Sequence, residues 1–276
     1  VSNHGFGYGL HPPYGGGGAV FNPERLNNLV HYWNAENVTT TGDPAQITDF
    51  AQLATGDDAS ETTESSAFNR GFLLTEDWSP DSITAGAETI PVPNGYPYFG
   101  TASAIDSVRN ETDMQQVVDV PYTASVGISA IFSFFVHGDV FFADNRRMMT
   151  GSGKQYFEFD GHGNVKVYDS GRSILFRNGY TSKAWCDEWH ILTWTWDAGS
   201  MQVALDGAEL ADEDPTDTAL SSALAYLTGI PSSATNNTFL THYMIWKQAH
   251  SMEDLDTVAR PLATLLDLTY AYTPLS

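Results

Sequence analysis

From residue 126 onward, short strand-like runs follow one another too closely for regular helices to lie between them. Ser129-Ala130-Ile131-Phe132-Ser133-Phe134-Phe135-Val136 is almost continuously apolar, which predicts a strand buried on both faces. Lys154 to Asp160 and Asn164 to Asp169 flank Gly161-His162-Gly163, a hairpin signal. Trp189 to Trp196 alternates, with Ile191, Thr193 and Thr195 opposite His190, Leu192, Trp194 and Trp196. Met201 to Leu205 then runs into Asp206-Gly207, a dipeptide suited to a tight turn. Such a series predicts antiparallel strands stacked in two sheets.

Earlier and later segments differ in character. Residues 1–20 are rich in Gly and Tyr and show neither strand nor helix periodicity, so they are expected to form an arm with no core of its own. Phe6, Tyr8, Leu10 and Tyr14 are apolar anchors that a plain spacer would not need. The opening residues do not read as a signal peptide. A short helix is predicted next: Asn22 can cap it, Pro23 suits its first position, and Leu26, Leu29 and Val30 share one face. Residues 39–67 read as polar, acidic loops. Near the end, Ser251-Met252-Glu253-Asp254 has the form of a capping box. Leu255, Val258, Leu262 and Leu266 then recur at helical spacing, with Pro261 expected to kink or interrupt the helix.

Charge narrows the partners. With 34 acidic against 12 basic side chains, the net charge of −22 would repel nucleic acid and anionic membranes, so neither is expected as a partner. No apolar run approaches the roughly 20 residues a membrane helix needs. The single cysteine, Cys186, excludes an intrachain disulfide framework and is most simply a small packed residue.

In series, these pieces resemble a concanavalin A-like lectin/glucanase domain of the laminin-G-like kind. The opening Tyr32-Trp33-Asn34-Ala35-Glu36-Asn37-Val38, the strand Ser129 to Val136 and the hairpin Gln155 to Val165 match that pattern in order. Glu188-Trp189-His190-Ile191-Leu192-Thr193-Trp194-Thr195-Trp196-Asp197, followed by Met201 to Glu209 with Asp206-Gly207, is the most specific match. The resemblance spans roughly residues 30–270. It implies an all-β, antiparallel two-sheet lectin-like jelly-roll sandwich over 21–276, with short N- and C-terminal helices and the Gly-rich arm 1–20.

The same sandwich carries lectins, glycanases, lyases and inert spacers, so its sites must be argued from residues. Hydrolytic relatives place three carboxylates at alternate positions of one strand; one acts as nucleophile and another as acid. Here Glu158 and Asp160 begin such a run, but His162 stands where the third would be. The chain is therefore expected not to be an enzyme. A lyase would need a base such as Tyr156, His162 or Tyr180 with Arg172 nearby, and no matching motif is present. Trp33, Trp78 and Trp185 sit beside turns and are the candidates for stacking a sugar ring. Calcium is the metal that the abundant hard oxygen ligands would suit, with Asp139, Asp144 and Asn145 close together after the central strand.

Domains of this kind joined to a Gly-rich arm are similar to components of tailed-phage virions. That similarity implies a non-enzymatic virion decoration or tail-attachment protein that recognises a host surface glycan. The arm would dock on other virion proteins, and the chain is expected to be a homo-oligomer. The alternatives are a secreted glycan-active enzyme (glycoside hydrolase or polysaccharide lyase), extracellular rather than virion-borne, and a free carbohydrate-binding module.

Overall fold

A computed structural model describes the backbone of residues 20–34, 127–136, 189–197, 200–212 and 238–275, together with short strands between 38 and 118, between 146 and 177 and at 224–226. Side chains are described over 20–32, 34, 127–134, 189–197, 200–211 and 241–275. The arm residues Phe6, Tyr8, Leu10 and Tyr14 lie outside the described residues.

The fold is all-β, with antiparallel strands throughout and one α-helix among the described residues. Its centre is a set of strands hydrogen-bonded side by side. Leu29–Asn34 pairs with Thr238–Trp246, which pairs with Ile128–Val136, which in turn pairs with Trp189–Asp197. Trp189–Asp197 then pairs with Ser200–Leu205, and that strand with Ala208–Glu209. Arg146–Gly151, Gln155–Phe159, Val165–Asp169 and Arg172–Arg177 form a second run of neighbours, so the hairpin expected around Gly161-His162-Gly163 is present.

Period 2 sorts the central strands into two faces. Ile131, Thr193, Ala204 and Met244 line up across the sheet on one face, and Phe132, Leu192, Leu205 and Tyr243 on the other. Both faces are buried: Ile128, Ala130, Ile131, Phe132, Phe134, Ile191, Leu192 and Trp194 are all at 0% exposure, as the unbroken apolarity of this strand predicted. Buried hydroxyls among these side chains are satisfied within the sheet. Ser129 Oγ lies 2.9 Å from Thr195 Oγ1 and from the Gln248 carbonyl, and it accepts the His250 N–H. The Ser133 and Thr241 hydroxyls meet one another.

The helix Met252–Leu265 covers the Ile131 face, packing Met252, Leu255, Val258, Ala259 and Leu262 against Ile131, Ile191, Ala204, Met244 and Trp246. Its start obeys the capping prediction in an altered form. Ser251 Oγ accepts the Asp254 N–H at 3.1 Å, and the hydroxyl donates to Asp254 Oδ2 at 2.7 Å, so the return bond comes from the cap's side chain rather than its backbone.

Two local expectations are corrected. Pro261 is expected to kink or interrupt the helix; the interruption does not occur, and the helix runs through it with Pro261 buried. A helix-interior proline is unfavourable by about 3 kcal/mol, whereas each large apolar side chain buried beside it contributes about 1.5–3 kcal/mol. The N-terminal helix is a single 3-10 turn, Pro23–Arg25, capped by Asn22 Oδ1 accepting the Glu24 N–H at 3.0 Å. Asn28 then adopts a left-handed φ of 64°, and Leu29 and Val30 enter a strand instead of continuing the helix. The tie is long-range: Trp246 Nε1 donates to the Pro23 carbonyl at 3.3 Å, and the Lys247 N–H donates to the Asn28 carbonyl at 2.8 Å.

Candidate functional site

The site grows from the hairpin that carries the most specific sequence match. Asp206 and Gly207 both have positive φ, 52° and 88°, as a two-residue hairpin turn of matching twist requires. Asp206 also reaches across the hairpin. Its Oδ1 accepts the Ile191 N–H at 2.8 Å, its own N–H donates to the Ile191 carbonyl at 2.9 Å, and its Oδ2 lies 2.7 Å from His190 Nδ1. His190 is buried and Asp206 about a quarter exposed, so the contact is shielded on one side only. The Trp-His pair that opens one strand is thereby locked to the Asp-Gly turn that ends the next.

A second segment closes on this turn. After the helix, Asp267 takes a left-handed φ of 55°, with the Asp267 N–H donating to Thr264 and the Leu268 N–H to Ala263. This is the Schellman arrangement, with Asp where Gly is usual. The chain reverses and runs along the hairpin. The Ala271 N–H donates to the Asp206 carbonyl at 3.1 Å, the Thr273 N–H to Gly207 at 2.8 Å, and the Glu209 N–H to Thr273 at 3.0 Å. The Glu209 carboxylate holds this strap twice, accepting the Tyr272 hydroxyl at 2.8 Å and the Leu275 N–H at 3.1 Å. Burial, then the bond to Glu209 and its charge, pushes the Tyr272 phenol up to about 12, so it stays protonated and donating across the physiological range. Gly207 is required twice over. Its φ favours glycine, and an added Cβ would sit 2.7 Å from the Ala271 carbonyl carbon and oxygen.

Between turn and strap lies a cleft of about 830 Å³, within the roughly 300–1,000 Å³ of small-ligand sites. Trp189, the His190–Asp206 pair and Leu210 line one side; Asp267, Leu268, Thr269, Ala271 and Thr273 line the other. Trp189 is half-buried, and Asp267, Thr269, Ala271 and Thr273 are exposed.

The sugar-stacking and calcium candidates read from the sequence lie outside the described side chains. Trp33 belongs to the strand Leu29–Asn34, but its side chain lies outside the described residues, as do Trp78 and Trp185. Asp139, Asp144 and Asn145 are outside them as well. Among the described residues no three His, Cys, Asp or Glu side chains gather in a metal-holding group. In the sequence, Trp189, His190 and Asp206 stand out only as letters of the lectin-like family pattern. The signal that would have found the pair is the Trp-His at the start of one strand and the Asp-Gly ending its hairpin partner.

No family model and no curated protein matches the chain. Solved structures do. The Trypanosoma rangeli sialidase in complex with 2,3-difluorosialic acid is similar at 10% identity and a TM-score of 0.49, over 89% of this chain and 36% of that one. The same sialidase in complex with 2,3-difluoro-KDN aligns at 11% identity and a TM-score of 0.48, over 89% and 34%. The receptor-binding domain of botulinum neurotoxin C/D mosaic serotype aligns at 10% identity and a TM-score of 0.46, over 85% and 51%. The chain thus spans about a third of the sialidase chains and about half of the toxin domain. At these identities and scores the likeness assigns neither activity nor ligand to this chain.

One expectation is corrected, that the chain is not an enzyme. It rested on the missing third carboxylate after Glu158 and Asp160, a pattern that enzymes such as these sialidases do not follow. Sialidases use a tyrosine nucleophile and stand outside the scheme of paired carboxylates. An incomplete carboxylate run is therefore no ground for excluding glycan chemistry.

Proposed function

We propose that the chain is a glycan-recognising all-β domain and that the saccharide lies in the cleft between the Asp206-Gly207 turn and the Asp267–Thr273 strap. The lining carries this reading. Trp189, Asp206, Asp267, Thr269 and Thr273 all line the cleft, so an aromatic residue, two acids and two hydroxyl-bearing residues share one surface. A sugar ring offers an apolar C–H face and a rim of hydroxyls; an aromatic ring suits the first, and carboxylates and hydroxyls suit the second. Two backbone hydrogen bonds join strap to turn, and three more join Tyr272, Thr273 and Leu275 to Glu209 just beyond it, so the walls are set before a ligand arrives.

The experiment is a glycan array followed by calorimetry on the whole chain, with Trp189→Ala and Thr269→Val as variants. Saturable binding that both variants weaken supports the reading. Binding unchanged in both variants, or no binding at all, overturns it. The same glycans, recovered and weighed by mass spectrometry, report whether the cleft also cleaves what it holds.

The finer readings belong to this proposal too. Both faces of the central strands are buried while the helix covers only one, which supports a second strand layer and hence the two-sheet jelly-roll sandwich. The glycines of residues 1–20, with Phe6, Tyr8, Leu10 and Tyr14 among them, support an arm that orders on other virion proteins or on further copies of the chain. Its apolar anchors would contribute about 25 cal/mol per Å² buried. Against this stands an ordering loss of roughly 1–2 kcal/mol per residue, so an extensive partner surface is needed. In this reading the domain is a virion component that displays the cleft to a host surface. Deleting residues 1–18 should leave the melting temperature unchanged and abolish incorporation into particles or oligomers; unchanged incorporation would reduce the arm to a tail.

A further inference from the structure

We propose that the cleft selects uncharged saccharides and turns away those bearing a carboxylate, such as sialylated or uronate-containing glycans. The inference rests on the glycan reading above and names its ligand class. Recognition of an anionic sugar calls for a cation, typically an arginine meeting the carboxylate with two parallel hydrogen bonds. Among the described residues, the lining holds no Lys or Arg. It holds two carboxylates, Asp206 on the turn and Asp267 on the strap.

His190 does not reverse that balance. It lies 2.7 Å from Asp206, so the pair carries one negative charge with a neutral imidazole and none with a protonated one. Asp267 adds a negative charge in either state. Arg260, on the helix that leads into the strap, is bound to Asp256 at 2.7 Å. The field of the whole chain, at −22, has the same sign as the cleft and opposes the approach of an anion before contact. Neutral hydroxyls, by contrast, can donate to both carboxylates and gain charge-assisted hydrogen bonds.

The test uses matched probes on the full chain: lactose against 3′-sialyllactose, and cellobiose and chitobiose against digalacturonate, each by calorimetry at low and at 1 M salt. A neutral disaccharide should bind, with its acidic counterpart weaker by on the order of tenfold or more at low salt. High salt should narrow the gap, because charges near the surface are screened. Asp267→Asn should narrow it as well; asparagine accepts the left-handed conformation that residue 267 adopts, so the strap stays in place. Acidic probes binding as tightly as neutral ones would overturn the selectivity and leave the glycan site standing. The absence of binding by every probe would overturn the glycan reading, and the selectivity with it.

Discussion

The centre of the sheet and the strap beside the hairpin turn are held by different balances of packing and hydrogen bonding. At the centre, Trp194, Phe132, Ile245 and Leu255 are at 0% exposure, and stability comes from apolar area removed from water and from close packing. At the strap, Leu268, Tyr270 and Tyr272 pack half-buried against the rim of the core while Thr269, Ala271, Thr273 and Leu275 are exposed, and hydrogen bonds with Asp206, Gly207 and Glu209 supply much of the hold. A hydrogen bond of this kind contributes a net 0.5–1.5 kcal/mol, roughly. The centre is therefore expected to lose volume only at the expense of the whole fold, whereas the strap, packed at the core's rim and exposed on its other face, is expected to open first. A binding cleft built against such a strap is rigid enough to be preformed and weakly enough held to be disrupted separately.

Three substitutions test that division, taken from the largest expected effect. Trp194→Ala empties a large, fully buried site and should lower stability by about 3–5 kcal/mol in chemical denaturation, as large aromatic deletions do. A loss under about 1 kcal/mol would mean that the centre is not close-packed.

His242 sharpens the comparison, because it is a titratable group inside the apolar region. It stacks on Tyr32 at 6.1 Å and meets Phe21 edge-on at 5.4 Å, and burial lowers its pKa from 6.5 to about 4. The unfolded chain therefore takes up the proton first as pH falls. The stability contributed by a neutral His242 is fully present above about pH 6.5 and is lost progressively as pH falls to about 4. The loss amounts to about 3 kcal/mol on linkage grounds. Denaturation curves of wild type and His242→Gln at several pH values should differ in slope across that window. Equal slopes would mean that the imidazole is not desolvated in the fold.

The smallest effect is expected at the strap. Gly207→Ala places a Cβ against the Ala271 backbone and forces a left-handed φ on a non-glycine residue, for a loss of about 2 kcal/mol. Hydrogen exchange should show the amides of Ala271 and Thr273 exposed while those of the central strands stay protected. Loss of protection in both regions together would join strap and sheet into one cooperative unit.

Much of the centre was legible in the sequence because burial on a strand leaves a local trace. Residues 129–136 and 189–205 carry their alternation or unbroken apolarity with them, and the Asp206-Gly207 dipeptide announces its own turn. The helix over 252–265 was legible from Ser251 and the spacing of Leu255, Val258 and Leu262. The segment 22–30 was misread because Leu26, Leu29 and Val30 fit a helix face as well as a strand. What decided it was pairing with Thr238–Trp246, some two hundred residues away in the chain, which no local pattern encodes.

The candidate site was less legible still. Trp189, His190 and Asp206 were all noticed as pattern residues, but the 2.7 Å contact between the imidazole and the carboxylate exists only once the hairpin folds. The strap is more remote again: Leu268, Tyr270 and Tyr272 alternate with polar or small residues, but nothing local indicates that their partner is Gly207, more than sixty positions earlier. Residue types and their periodicity by themselves determined that this chain is all-β, acidic and closed by a helix, because those properties follow from side-chain transfer and backbone sterics acting over a few residues. Only the tertiary structure decided where the helix at 22–30 gives way to a strand, why Pro261 is tolerated, and which residues share the cleft. Each of these depends on hydrogen bonds and burial between segments that meet only after the chain has closed on itself.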